Sequence, residues 1–536
     1  MIEGSLAVLP EALDVSFKTL PAALTIIMLI LFIAIGWIFR VTGVSDLWVA
    51  GRSIGSIENG MAIAANWMSA ASYLGMAGLI GLLGFFGLAY IVGWSTGYFI
   101  LLVFMAAQFR RFGKYTAPDF AGDRYYSDYV RALAALTTLL IGFVYAVGQG
   151  RGLGLMSMYI FGTDYATGVV LFMVIVLLYV VFSGMLGATK NMAVQYVILI
   201  IAFLAGLAGV ASALGYNPFV PQISYGAAMT ELYHEVSKEI TQPFANASPY
   251  MWVATTFTLI AGTCGLPHVL VRFYTVANEK IARWSTVWGL FFILILYLSA
   301  PAFSAFGNEL FFELTGNFPM SGDEADVIVV LASQLAELPQ WLVGFVAAGG
   351  VAAALATVAG LFVTASSAAA HDIYTCIIKD DASQREQLIV GRITILLLGI
   401  AVTIVSIDPP ALIAELVGMA FAIAAAILFP IFFLGLWWER TTKEGAISGM
   451  VLGLVISGGA IINNWYIGIE AIERIVPATS SALVAVPLVF ITIIVVSILT
   501  EDPPEDVKRM VRQCHSPEPM QKLENANDVV EKNSNS

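Results

Sequence analysis

The chain has 536 residues, of which 59% are hydrophobic and only 12% charged, against roughly 45–50% apolar and about 25% charged in a soluble domain. That composition belongs in a lipid bilayer and argues against a soluble enzyme. The net charge of −12 comes with no basic stretch of the kind that binds nucleic acid, and Cys264, Cys376 and Cys514 have no metal-ligand spacing and imply no disulfide framework.

Apolar runs long enough to cross a bilayer fall at approximately 20–40, 59–85, 86–109, 131–160, 166–184, 191–214, 250–277, 284–308, 340–378, 387–407, 411–437, 444–463 and 481–500. The first run has no basic segment before it and no small-residue cleavage site after it, so residues 1–45 read as an extra, retained helix. Of the 25 lysines and arginines, all but Lys18, Arg151, Lys238 and Arg474 fall in one set of alternate loops, Arg272 among them, or in the tail with Lys522 and Lys532. Positive charge marks the cytoplasmic side, which predicts an external N-terminus and a cytoplasmic C-terminus.

With that topology the run 59–85 and the run 250–277 cross in opposite directions. Residues 46–214 and 250–440 then form two five-helix units of opposite orientation, joined by an external loop at 215–249. Two further helices follow over 441–500, and a polar tail over 501–536 is expected to be at least partly disordered. The fold class expected is an all-α polytopic membrane protein of about thirteen helices with a five-plus-five inverted-repeat core.

Both units open on an unusual helix. "AIAANWMSAASYLGMAG" (62–78) puts Asn66, Ser69 and Ser72 among alanines and glycines, and "TLIAGTCGLPHVLVRF" (258–273) carries Gly262, Gly265 and Pro267 near its middle. Small residues permit close helix packing, and they also leave room for carbonyls released by local unwinding to face a cation. Paired interruptions in two halves point to a transport site. The exposed amides of a half-helix favour an anionic group, and Trp67, Tyr73, Leu74 and Phe257 suit a short aliphatic chain or serve simply as packing.

In "YAVGQGRGLGLM" (145–156) Arg151 lies inside a membrane run and needs a partner. It either faces the pathway and attracts a carboxylate or snorkels outward toward Asp164. His268 either takes part in the pathway or satisfies carbonyls freed by the kink. "GQGRGLG" has no Lys-Ser/Thr pair and is not a phosphate loop. Glu309, Glu313, Asp323, Glu324 and Asp326 read as a solvated external face, and "HDIY" (371–374) as a helix end or gate support.

"DLWVAGRSIGSIENGMAIAANWMSAASYLGMAG" (46–78), "GLPHVLVRFYTV" (265–276) and "ATVAGLFVTASSAAAHDIY" (356–374) resemble the sodium/solute symporter family, and most of all its acetate and short-monocarboxylate permeases. The resemblance covers roughly residues 40 to 440. It implies sodium-coupled import of a small organic solute by alternating access, in a plasma membrane of bacterial or archaeal type. No cofactor beyond the sodium ion is implied, and a small accessory membrane subunit is, as in some members of this branch. Laid onto this chain, the family's sodium ligands are the carbonyls of Ala65, Met68 and Ala353, with hydroxyl positions at Ala356 and Thr357. Positions 353, 356 and 357 share one helix face. Ala356 carries no oxygen, and Asn66 stands where relatives often have an aspartate, so a proton is disfavoured as the coupling ion. A symporter of another small solute such as proline, a sensor acting with a separate partner, and a passive channel are the alternatives.

Overall fold

The computed structural model describes residues 16–41, 43–235, 248–316 and 325–516. Lys238, Asp323, Glu324, Lys522 and Lys532 lie outside them. Among the described residues the regular structure is entirely helical. The principal helices are α1 (Thr19–Ile38), α2 (Ser56–Trp67), α3 (Met76–Leu83), α4 (Leu88–Phe104), α5 (Asp128–Phe161) and α6 (Tyr165–Ala213). They are followed by α7 (Pro249–Gly265), α8 (Pro267–Leu270), α9 (Glu279–Tyr297), α10 (Ala300–Thr315), α11 (Gln340–Ser367), α12 (Gln384–Ser406), α13 (Ile413–Ile423), α14 (Lys443–Ile462), α15 (Ala482–Leu499) and α16 (Glu505–His515).

Among the described residues ten stretches are long and apolar enough to cross a membrane, or eleven with the bent pair Pro249–Gly265 and Pro267–Phe273 taken as one. Two of these stretches each contain two of the runs seen in the sequence. Ala71–Phe104 turns at Gly84 (φ +60°) and Tyr165–Ala213 kinks at Gly184 (φ +54°); both conformations are open to glycine and strained for other residues. Every apolar run is thus helical, and the differing count reflects where a helix is taken to end.

Burial separates a centre from a rim. The apolar window of the α11 stretch is 94% buried and that of Ile413–Trp437 is 89% buried, whereas α12 reaches only 22%. Along α12, Ile393, Leu397, Ile400 and Ile404 are exposed at helical spacing, as a lipid-facing stripe requires. The centre is made of small residues instead. On α11, Gly349, Ala353, Ala356, Thr357 and Gly360 are all buried, and a methyl group added at Gly360 would lie 1.9 Å from Asn66 Oδ1.

The tail begins as an ordered helix, since α16 lies back on the bundle. Arg111 donates to Cys514 O at 3.1 Å and His515 pairs with Leu436 O at 2.8 Å.

Candidate functional site

The helix that opens the first unit is broken where the sequence is richest in small residues. α2 ends at Trp67, Met68 leaves helical geometry (φ −75°, ψ +69°), and a π-helical turn over Ala71–Gly75 leads into α3. In an unbroken helix the amides of Ser69, Ala70, Ala71 and Ser72 would bond to the carbonyls of residues 65–68. Here they go elsewhere. Ser69 N bonds to Trp67 O at 2.8 Å and Ser72 N to Ser69 O at 3.0 Å. Ala70 N bonds to Gln149 Oε1 at 2.8 Å and Ala71 N to Ser69 Oγ at 3.2 Å. The carbonyls of Ala65, Asn66, Trp67 and Met68 are thereby released from their ladder partners.

The second break falls at Leu266 (ψ +116°), between α7 and α8, with Pro267 opening the new helix and an overall bend of 51°. At Gly265 a Cβ would meet Ala424 O at 2.3 Å, so this glycine allows backbone contact with the α13 span. Asn66 ties the two breaks together by donating from Nδ2 to His268 O at 3.2 Å, while its Oδ1 is buried without a hydrogen bond.

α11 faces the first break. Thr357 Oγ1 lies 3.0 Å from Asn66 O and 3.2 Å from Ala353 O. A hydroxyl has one proton for these two acceptors, so three oxygens converge on a point that is entirely buried. Ala356 lies on the same face and presents only a methyl group. The carbonyl brought to Thr357 is that of Asn66, a residue assigned no carbonyl role from the sequence.

Around the break lies a cage of rings. Trp67 meets Tyr98 edge-on at 4.6 Å and Phe421 at 5.4 Å, Tyr145 meets His268 at 5.3 Å, and Trp94 meets Tyr297 at 5.9 Å. Ser72 Oγ bonds to Tyr297 OH at 3.0 Å, and Tyr145 OH donates to Ser69 Oγ at 3.4 Å. The structure therefore gathers Ala65, Asn66, Trp67, Met68, Ser69, Ser72, Gly265, His268, Ala353, Ala356 and Thr357 around the two breaks. Tyr73 turns away from them, inserting beside Gly349 and donating to Val346 O at 2.9 Å. Phe257 also stands apart, packed with Ala261, Ala425, Ala482 and Val486. Sequence reasoning missed Tyr98, Tyr145, Gln149, Tyr297 and Phe421, which sit in apolar runs with no local signal to single them out.

Arg151 neither snorkels to Asp164 nor stands alone. Its Nε donates to Asp326 Oδ2 at 2.6 Å, and the same oxygen accepts from Ile413 N at 3.4 Å. The glycines around it serve close approach: a Cβ at Gly152 would lie 2.7 Å from Ala70 Cβ, and one at Gly148 would lie 3.1 Å from Ile413 O. Asp326 and Glu309, expected in a solvated face, are buried, and only Glu313 of the described acids there is exposed. Burial pushes the Asp326 carboxyl up to about 6 against the pull of Arg151.

At the arginine-rich end, Arg131 bonds to Asp119 at 2.6 Å and to Asp123 at 2.6 Å. Thr116 donates to Asp372 at 2.7 Å, and His371 Nε2 lies 2.9 Å from Asp119. Burial pushes the Asp119 carboxyl up, but His371, Lys114 and Arg131 together outweigh it and hold the group well below the usual carboxylate range. Cys376 joins this group, its Sγ 3.8 Å from His371 Nε2, so the fold assembles a Cys-His-Asp cluster that the sequence spacing does not show. Two residues expected in loops are also buried: Arg272, and Lys18, which donates to Tyr159 O at 3.1 Å.

This architecture matches solved transporters. A Na+-coupled sialic acid symporter in a substrate-bound, outward-open state superposes with a TM-score of 0.72 over 91% of this chain and 99% of that one, at 16% identity. A nucleobase-cation-symport-1 family transporter in a closed conformation gives 0.52 over 87% and 98%, at 12% identity. These likenesses establish the five-plus-five inverted-repeat fold. In sequence, the chain is 28% identical to an uncharacterized symporter of Cupriavidus necator across 90% of this chain and 92% of that protein. Residues 47–453 match the model of the sodium:solute symporter family. With three quarters of its length inside that match, the chain belongs to the sodium:solute symporter family.

Proposed function

We propose that the protein imports a short monocarboxylate such as acetate together with sodium, by alternating access, with its arginine-rich end in the cytoplasm. The observation that carries this reading is the redirection of four consecutive amides at residues 69–72, which releases the carbonyls of Ala65, Asn66 and Met68 from the helical ladder on the side of Thr357. A hard cation prefers oxygen ligands. Carbonyls of Ala65, Asn66, Met68 and Ala353 with the Thr357 hydroxyl would supply them without a titratable group, which suits sodium better than a proton. Ala356 contributes shape only.

The solute belongs beside the cation, in the cage formed by Trp67, Tyr98, Tyr145, Tyr297 and Phe421, where Ser69, Ser72 and His268 add polar groups. Aromatic walls accommodate a short aliphatic chain, and placing the anion near the cation makes their binding mutually favourable, which is the energetic basis of coupling. The test is uptake by the purified chain in liposomes under an inward sodium gradient, with labelled acetate, propionate, pyruvate, lactate and proline. Saturable, sodium-dependent uptake of a monocarboxylate supports the reading, and does so without any accessory subunit. Uptake of proline alone, or flux that ignores sodium, contradicts it.

A further inference from the structure

Of the buried arginines among the described residues, Arg272 alone meets neither a carboxylate nor a carbonyl oxygen; Arg110, which also lacks a carboxylate, donates to Ala277 O at 2.6 Å. Arg131 holds Asp119 and Asp123, Arg151 holds Asp326, and Arg124 is spread over the carbonyls of Gly435, Trp438, Glu439 and Thr441. Arg272 is 1% exposed and has no carboxylate partner among the described residues. Its Nη1 donates to Thr189 Oγ1 at 2.9 Å, its Nη2 lies 2.9 Å from Met192 Sδ, and its Nε has no hydrogen bond. Four residues earlier His268, also 1% exposed, has neither ring nitrogen bonded.

Both residues lie on the segment that follows the second helix break. Asn66 bonds to His268 O, Asn59 Nδ2 donates to Arg272 O at 3.1 Å, and Tyr145 of the cage stands edge-on to the imidazole. An unmatched guanidinium, an unmatched imidazole and the aromatic cage are therefore contiguous. A hydroxyl and a thioether are weak acceptors for a full charge, and the flexible methionine gives way readily. A guanidinium offers a planar fork of donors that fits a carboxylate in bidentate fashion, and an imidazole N–H adds a further donor.

We propose that Arg272 and His268 bind the carboxylate of the transported solute as it leaves the aromatic cage toward the arginine-rich end. This rests on the symport reading above and names the residues that select an organic anion over its neutral analogue. The pair works by matching charge: an amide in place of the carboxylate leaves the guanidinium uncompensated, and a site built around such a group rejects the analogue strongly.

The test measures equilibrium binding of labelled propionate to the purified full chain at saturating sodium, with propionamide as competitor, and ²²Na+ binding separately without solute. Propionamide should fail to displace propionate from the wild type. Arg272→Gln should raise the half-saturating propionate concentration by about a hundred-fold, as expected for loss of one member of a buried charge pair, while ²²Na+ binding stays within about two-fold. Arg272→Lys keeps the charge but loses the fork, and should raise it by about ten-fold; it carries the test if the glutamine variant does not fold. Unchanged propionate affinity in a folded Arg272 variant overturns the assignment and leaves the symport reading standing. A wild type that binds ²²Na+ but no monocarboxylate overturns both.

Discussion

Arg151 and Arg272 are the same residue type, both buried, both beside a helix break, and they differ in what answers the charge. Arg151 meets Asp326 at 2.6 Å, an oxygen that also accepts from the first amide of α13. Arg272 meets a threonine and a methionine. The first arrangement is complete within the chain and joins α5, the segment before Ile328–Leu335 and α13 into one unit. The second leaves the guanidinium without a carboxylate or carbonyl among the described residues, which is the opening the proposed solute carboxylate would fill. A buried cation is thus no single signal: Arg151 with its carboxylate and Arg124 with its carbonyls are braces, whereas Arg272, which has neither, is the one proposed above as a receptor.

That contrast is open to mutation. The largest effect on stability is expected from Arg151→Gln, which strands the Asp326 carboxylate. Loss of one partner from a buried pair costs about 3–5 kcal/mol, and thermal unfolding in detergent should show it. The Arg151→Gln/Asp326→Asn double variant should recover much of the loss, whereas additivity of the two changes would mean that the pair is not coupled. No such rescue partner exists for Arg272 among the described residues.

Gly360→Ala comes next. Its new methyl group would lie 1.9 Å from Asn66 Oδ1, and overpacking of this kind costs about 1–3 kcal/mol. Displacing Asn66 should weaken ²²Na+ binding, while the same change at Gly459, with nothing within 4 Å, should leave it alone.

A smaller effect comes from pH. The Asp326 carboxyl sits at about 6 when buried, against an ordinary 3.8, so the buried arrangement binds a proton more tightly than one in which the segment swings into solvent. By linkage, acidification from pH 7 to pH 5 should favour the buried arrangement by roughly ten-fold. Hydrogen exchange over residues 325–335, corrected for intrinsic rate, should slow accordingly. In Asp326→Asn that dependence should vanish, and an unchanged dependence would assign it to another group. The smallest change is expected from Ala356→Ser, which adds an oxygen to the face already carrying Thr357 and should lower the sodium requirement roughly three-fold.

The breaks were readable because their causes are local. Gly265 with Pro267 deprives the helix of a donor and of stiffness, and in the stretch at 62–78 Ser69 and Ser72 offer local side-chain partners that compete with the helical ladder. The hydroxyl at Thr357 was reached through the family resemblance, and its spacing with Ala353 puts the two on one helix face. The cage was not, since Tyr98, Tyr145, Tyr297 and Phe421 come from four separate runs and meet only through tertiary packing. Asp326 and Arg272 were misplaced for a related reason: assigning charges to loops assumes that a charge avoids burial, and each of these is held inside by partners or surroundings distant in sequence. Phe257 points toward α15 because the face of α7 that it occupies packs outward there, which apolar content alone does not reveal.

The central claim is that the carbonyls of Ala65, Asn66 and Met68 released at the break, with that of Ala353 and the Thr357 hydroxyl, hold the coupling sodium ion. It is tested most directly by the sodium concentration dependence of monocarboxylate uptake into liposomes for the wild type, Thr357→Ser and Thr357→Ala. Removing one oxygen while keeping the shape should raise the half-maximal sodium concentration by roughly ten-fold in Thr357→Ala, equivalent to about 1.4 kcal/mol, with Thr357→Ser close to the wild type. Superimposable sodium curves for all three proteins would contradict the account.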